Sequence, residues 1–236
     1  MENNFILESL FIILTVVSYI LGKYIYSKGR IMLLHTIIVA TLLVILTLRF
    51  IQVDMHLYLQ NTKLLRYILN LSIVALGYLL YKHYNYIKSR GLAIIAATFI
   101  GSLSAILGVG LLAILFGAKY ETIVTLLPKS ITTPLAIVIS EQYGGSISLT
   151  AVIVVISGIF GAIVGPWFLK LTGINSRLAT GLALGSAAHG IGTAKAMETG
   201  VLEGAAGGLA IALMGLFTSI LIPLIVPLIK IVLPEI

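Results

Sequence analysis

Residues 91–118 read GLAIIAATFIGSLSAILGVGLLAILFGA, twenty-eight residues without one charge. A helix needs about 20 apolar residues to cross the hydrocarbon of a bilayer, and this run exceeds that. Gln142–Leu169 is clear of acid and base over its length, and so is Gly204–Ile229. Around these runs the 236-residue chain keeps the same texture: 59% hydrophobic, 10% charged, mean hydropathy +1.13. Soluble domains carry about 25% charged residues. The fold class is therefore an all-α polytopic membrane protein. Soluble enzymes, nucleic-acid-binding domains and secreted disulfide scaffolds are excluded.

The net charge of +7 fits a membrane protein whose Lys and Arg gather in cytoplasmic loops and meet anionic headgroups. The chain has no cysteine, which removes disulfides, thiolate metal sites and Cys nucleophiles. Its start, Met1-Glu2-Asn3-Asn4, has no basic region, and no cleavage motif follows the first apolar run, so no cleavable signal is expected.

Earlier spans are expected at Phe5–Gly22, Ile31–Leu48 and Leu64–Tyr81, which makes residues 1–90 a three-span N-terminal region. Residues 91–236 form the C-terminal region of a single membrane domain. Loops Lys23–Arg30 and Lys82–Arg90 each carry three Lys/Arg and no acid, so both are expected in the cytoplasm, with the N-terminus outside the cell membrane.

Two apolar stretches of the C-terminal region are interrupted. Pro128-Lys129-Ser130-Ile131-Thr132-Thr133-Pro134 holds two prolines six residues apart, which one regular helix cannot contain. Ala188-His189-Gly190-Ile191-Gly192-Thr193-Ala194-Lys195 sets glycines and polar side chains inside Arg177–Thr199. A re-entrant hairpin at Glu121–Ser140 leaves Lys170 and Arg177 cytoplasmic, as the charge rule favours. The expected total is about seven crossings plus that broken-helix hairpin, with Arg177–Thr199 counted as a crossing.

Broken backbone at membrane depth survives only where protein buries it or where it lines a watery cavity. Paired breaks of this kind are the pattern of secondary transporters with discontinuous helices. Half-helix N-termini offer free N–H groups and a partial positive charge to an anion. The first break adds Lys129, Ser130, Thr132 and Thr133, and the second adds His189, Gly190, Gly192, Thr193 and Lys195. One cation and a few hydroxyl or amide donors suit a small carboxylate. Bland readings stand beside these: Lys129 snorkelling to an interface, and Lys195 paired with Glu198 on its own helix. His189 either carries a coupling proton, with Glu198 and Glu203 as other carriers near this break, or bonds freed backbone. Among the remaining histidines, His56 and His83 read as loop residues and His35 as a packed or interfacial side chain.

Gly161-x-x-x-Gly165 and Gly204-x-x-x-Gly208 have the spacing of close helix packing. Trp167 and Tyr78, Tyr81, Tyr84 and Tyr86 read as an interfacial belt. No Walker A, H-E-x-x-H or nucleophile elbow is present, and the chain has one Asp, so an enzyme, a metal site and a cofactor are not expected.

Leu127–Ala136 (LPKSITTPLA) and Gly181–Ala196 (GLALGSAAHGIGTAKA) closely resemble the LrgB/CidB family, and Ser148–Ala151 and Gly158–Ala162 fit it too. The resemblance covers about Gly91–Ile229. The family usually has a proline-bearing stretch in its third span, and Asn70–Tyr81 lacks both prolines. Two functions are implied. One is an antiholin-like or holin-like regulator of murein hydrolase export and lysis, acting with a small LrgA/CidA-like membrane protein. The other is a carrier of small monocarboxylates such as pyruvate, glycolate or lactate, proton-coupled and working with such a subunit. In the carrier reading the residues of the two breaks bind substrate, and His189 and Glu198 are the proton-coupling candidates. A homodimer is the default for a symmetric membrane oligomer.

Overall fold

The computed structural model describes residues 2–29, 34, 36–65, 67–68, 71, 78, 81–82 and 84–232. His35, His83, most of the expected span Leu64–Tyr81 and most of the proline-free stretch Asn70–Tyr81 lie outside them. Every regular element among the described residues is helical. In chain order they are α1 (Glu2–Gly29), α2 (Thr36–Phe50), α3 (Met55–Gln60), α4 (Tyr84–Lys88), α5 (Gly91–Leu115), α6 (Tyr120–Leu126), α7 (Thr133–Gln142), α8 (Ile147–Leu171), α9 (Arg177–Thr199) and α10 (Val201–Val232). Contacts divide the chain into two units, residues 1–74 and 75–236.

In the first unit α1 and α2 pack along their lengths. Gly22 lets the chain come close, since a Cβ there would stand 3.3 Å from the backbone N of Ala40. Phe11, Val44 and Leu48 form the small core. The Phe11 ring meets Tyr58 edge-on at 5.4 Å, and Thr15 Oγ1 lies 2.7 Å from the Tyr58 hydroxyl. Asp54 caps α3 by accepting from the His56 N–H at 3.2 Å.

The second unit is built on three long apolar helices, α5, α8 and α10. Ile94 near the start of α5 packs with Ala206 and Ala210 near the start of α10. Further along, Ser102 Oγ lies 3.2 Å from Thr218 Oγ1. Near their ends Ile106 and Ala113 share a core with Ile222 and Val226. These two helices are therefore parallel. Helix α8 runs the other way, because it begins where the α6–α7 segment ends and finishes where α9 begins.

Segment 120–142 is a hairpin. Thr125 Oγ1, on α6, accepts from the Ser146 N–H at 2.9 Å, beyond the end of α7. Thr150 Oγ1 donates to Ser140 Oγ at 2.7 Å. All three hydroxyl residues 125, 140 and 150 are buried. The hairpin thus starts and ends beside the first turns of α8, at the end of the bundle where Lys230 stands 4.8 Å over the Tyr120 ring. The hairpin expected at Glu121–Ser140 is present as α6, the turn 127–132 and α7.

The expected crossing at Arg177–Thr199 is corrected. Helix α9 is broken at Ala188 (φ −132°, ψ 19°) and His189 (φ 40°, ψ −128°), and its second arm folds back on its first. Ala196 of the second arm shares a buried cluster with Leu184 of the first and Leu169 of α8. A Cβ on Gly192 would stand 2.7 Å from the Ala188 Cβ and would also strike the Leu184 carbonyl. At the open end, Arg177 binds Glu203 through two hydrogen bonds, Nε to Oε1 at 2.7 Å and Nη2 to Oε2 at 2.9 Å. The first and last residues of α9 therefore sit together, at the end of the bundle opposite to hairpin 120–142.

Among the described residues four helices are long and apolar enough to cross a membrane: Ile6–Lys28, Gly91–Leu115, Ile147–Leu171 and Val201–Ile231. Thr36–Phe50 is apolar but shorter. Large apolar side chains stand exposed along these helices, among them Phe99, Leu111, Phe160 and Leu224. Hydrocarbon is the solvent that suits them. Helix α10 continues through Pro223 and Pro227, as membrane helices tolerate when neighbouring groups satisfy the freed carbonyls.

Close packing between α9 and α10 rests on glycine. A Cβ on Gly185 would lie 2.7 Å from the Gly207 Cα and strike its carbonyl, whereas a Cβ on Gly108 meets nothing within 4 Å. Gly185→Ala is expected to destabilise the protein by about 1–3 kcal/mol, and Gly108→Ala to leave it unchanged or firmer. Thermal unfolding of both variants in the same detergent checks this.

Candidate functional site

The tips of the two hairpins meet on one face of α8. Tip 127–132 is folded by two turn bonds, from the Lys129 N–H to the Leu126 carbonyl (3.2 Å) and from the Ile131 N–H to the Pro128 carbonyl (3.3 Å). The Ser157 hydroxyl donates to the Lys129 carbonyl at 2.8 Å. On the other hairpin, His189 Nε2 lies 3.0 Å from the Val154 carbonyl. A carbonyl only accepts, so Nε2 carries the hydrogen. Val154 and Ser157 are three residues apart, hence on one face of α8. Ser157 is the eleventh residue of this 25-residue helix. At 1.5 Å per residue that places it about 15 Å along a helix of about 37 Å, near its middle.

Glycine again makes room. A Cβ on Gly158 would stand 2.7 Å from the imidazole Nε2 and Cε1, one on Gly161 2.8 Å from the Ala188 Cβ, and one on Gly165 2.7 Å from Leu184. These three residues share a face of α8, and the small-residue spacing of Gly161 and Gly165 serves this internal contact. His189 holds a positive φ that a non-glycine residue rarely adopts. Backbone strain of this kind costs about 1–3 kcal/mol and clusters at functional sites.

The first tip presents Lys129 half-buried, with its ammonium donating to Ser130 Oγ at 3.2 Å, and Ser130 itself is buried. The two tips are brought together through α8, Lys129 by the Ser157 hydroxyl and His189 by the Val154 carbonyl three residues away. Thr132 is the N-cap of α7 but makes no side-chain cap bond, and Thr133 opens that helix with Pro134 beside it. The first N–H groups of α7 therefore lack a side-chain partner. Gly190, after the second break, is exposed, and nothing lies within 4 Å of a Cβ built on it.

Other predicted residues stand elsewhere. Thr193 is buried with Oγ1 unpartnered, and its hydroxyl faces Gly207 of α10, where a Cβ would stand 2.9 Å away. Gly192 serves the approach of the two arms, as described above. Lys195 donates to Glu198 Oε2 at 2.7 Å, with the Glu198 side chain 68% exposed. The site thus joins Lys129 and Ser130 with His189, while Lys195 and Glu198 form a surface pair toward the open end of their hairpin. Glu203 is buried in its bond to Arg177.

Sequence reasoning missed Val154 and Ser157, because their helix reads as an unbroken span. The polar Ser157 next to Gly158 in mid-span was the available signal. It also missed the Arg177–Glu203 pair, whose partners are 26 residues apart and meet only when α9 folds back.

A profile of the LrgB-like family matches residues 15–228 of the chain. The chain belongs to the LrgB-like family. Its relatives include the holin-like protein CidB of Staphylococcus epidermidis, 32% identical over 224 residues, covering 95% of this chain and 98% of that one. CidB of Staphylococcus aureus is 33% identical over the same shares of both chains. The protein YxaC of Bacillus subtilis is 35% identical over 91% of this chain and 94% of its own. No solved structure matches this LrgB-like chain.

Removing Arg177 from this LrgB-like protein leaves a buried carboxylate without its partner. Arg177→Gln is expected to lower stability by about 1–3 kcal/mol, and Arg177→Gln with Glu203→Gln by less than the single change. A double-mutant cycle on detergent unfolding measures the coupling.

Proposed function

We propose that this LrgB-family protein carries small monocarboxylates, of the pyruvate, glycolate or lactate kind, across the cell membrane. The observation that supports this reading most is the meeting of two hairpin tips from opposite ends of the bundle at the middle of α8. Helix α5 with hairpin 120–142 and helix α8 with hairpin 177–199 make two similar units of opposite sense. Inverted units with broken helices at mid-depth are how many secondary transporters build their substrate sites. Lys129 supplies the cation for one carboxylate. Ser130, Thr132, Thr133 and the N–H groups that open α7 and follow His189 donate hydrogen bonds. Nδ1 of His189, free of the Val154 bond, is where a coupling proton sits.

In the bilayer α5, α8 and α10 cross, after the three spans expected from the N-terminal sequence, with the two hairpins entering from opposite sides. The N-terminus is outside. The start of α5 then lies in the cytoplasm after Lys82–Arg90, together with Lys170 and Arg177, as the positive-inside rule requires. An LrgA/CidA-like small membrane protein is the proposed partner.

The second reading is a holin-like regulator of lysis without transport, favoured by the holin-like designation of the CidB relatives. Uptake of labelled pyruvate and glycolate into proteoliposomes, with and without a pH gradient and an LrgA-type subunit, separates the two. The carrier reading expects saturable uptake that Lys129→Ala abolishes and Lys195→Ala lowers by less than tenfold, at equal incorporation. No uptake under any of these conditions leaves the regulator.

A further inference from the structure

We infer that Ser157 is the positioning residue of the site: its hydroxyl, by holding the Lys129 carbonyl, fixes where the Lys129 tip stands relative to the His189 tip. The functional half of this inference rests on the carrier reading, and the structural half does not.

Ser157 Oγ has two carbonyls within reach, Lys129 at 2.8 Å on the opposite hairpin and Val154 at 3.0 Å on its own helix. A serine inside a helix ordinarily bonds back to a carbonyl three or four residues earlier. Here that carbonyl already accepts from His189 Nε2. The Lys129 carbonyl takes no N–H from the turn bonds of its tip, so Ser157 is what satisfies it. An unpaired carbonyl at membrane depth is costly, and the hydroxyl hydrogen is better placed across the gap than along its own helix. Two successive polar contacts on one face of α8 therefore hold both tips, His189 through Val154 and Lys129 through Ser157. The Lys129 ammonium is carried on the residue whose carbonyl is held, so losing the hydroxyl moves the charge that faces the substrate.

The chain is free of cysteine, so an introduced thiol is a clean reporter. Ile131, in the same tip, is 1% exposed. An Ile131→Cys thiol is expected to react slowly with a membrane-permeant maleimide, and at least five times faster once Ser157→Ala is added. Ser157→Thr, which keeps the hydroxyl, restores slow labelling. In otherwise native protein, Ser157→Ala is expected to raise the apparent KM for pyruvate about tenfold with Vmax within twofold, and Ser157→Thr to return it.

Labelling that does not respond to Ser157→Ala overturns the inference, whatever uptake shows. So does faster labelling that Ser157→Thr fails to slow, because packing and not the hydroxyl would then hold the tip. Hydroxyl-dependent labelling in a protein that carries neither pyruvate nor glycolate, with or without an LrgA-type subunit, supports the positioning role and removes the carrier reading instead.

Discussion

Backbone N–H and C=O groups that leave a helix in hydrocarbon have no water to bond, and each costs several kcal/mol if left alone. The second unit of this protein is organised around that constraint. It breaks its chain twice, at 127–132 and at 188–189, and brings both breaks to the middle of α8. There Ser157 bonds the Lys129 carbonyl and His189 spends its Nε2 hydrogen on Val154. Gly158, Gly161 and Gly165 supply the room, since a Cβ at any of them would intrude on His189, Ala188 or Leu184. Without a glycine-lined face on α8 the second hairpin could not approach, and its broken backbone would face lipid.

The two hairpins are fastened at their open ends in different ways. Hairpin 120–142 is closed by neutral buried hydroxyls, Thr125, Ser140 and Thr150, with the Ser146 N–H. Hairpin 177–199 is closed by an ion pair whose arginine is 61% exposed while its glutamate is buried. A charge-assisted bidentate bond next to water is directional and sensitive to its surroundings. The buried hydroxyl cluster is shielded from both.

Much of this was legible in the sequence. The uncharged runs named α5, α8 and α10, because a bilayer sets their length and composition. Pro128 and Pro134 marked the first break, and Pro134 duly stands at the start of α7. His189 and its glycines marked the second. What the residues did not disclose was the angle of that second break. It depends on the φ of His189 and on Leu184, Ala188 and Gly192 allowing two arms to lie side by side, which is a three-dimensional fit with no local signature. Hence a hairpin read as a crossing. Lys195 and Glu198, three residues apart, announced their pairing as an alternative, whereas Arg177 and Glu203 could be paired only once the fold back was known. Proline also speaks differently by context: Pro128 sits in a break, but Pro223 and Pro227 lie inside a continuous helix.

The arrangement of two hairpins entering from opposite sides is tested most directly by labelling with a membrane-impermeant maleimide in intact cells and in inverted vesicles. Single cysteines at Lys119 and Gln142 flank the first hairpin, and at Asn175 and Thr199 the second, all four positions being exposed. Lys119→Cys and Gln142→Cys are expected to react only from outside the cell, and Asn175→Cys and Thr199→Cys only in inverted vesicles. Thr199→Cys reacting from the same side as Lys119→Cys would make Arg177–Thr199 a crossing and contradict the account.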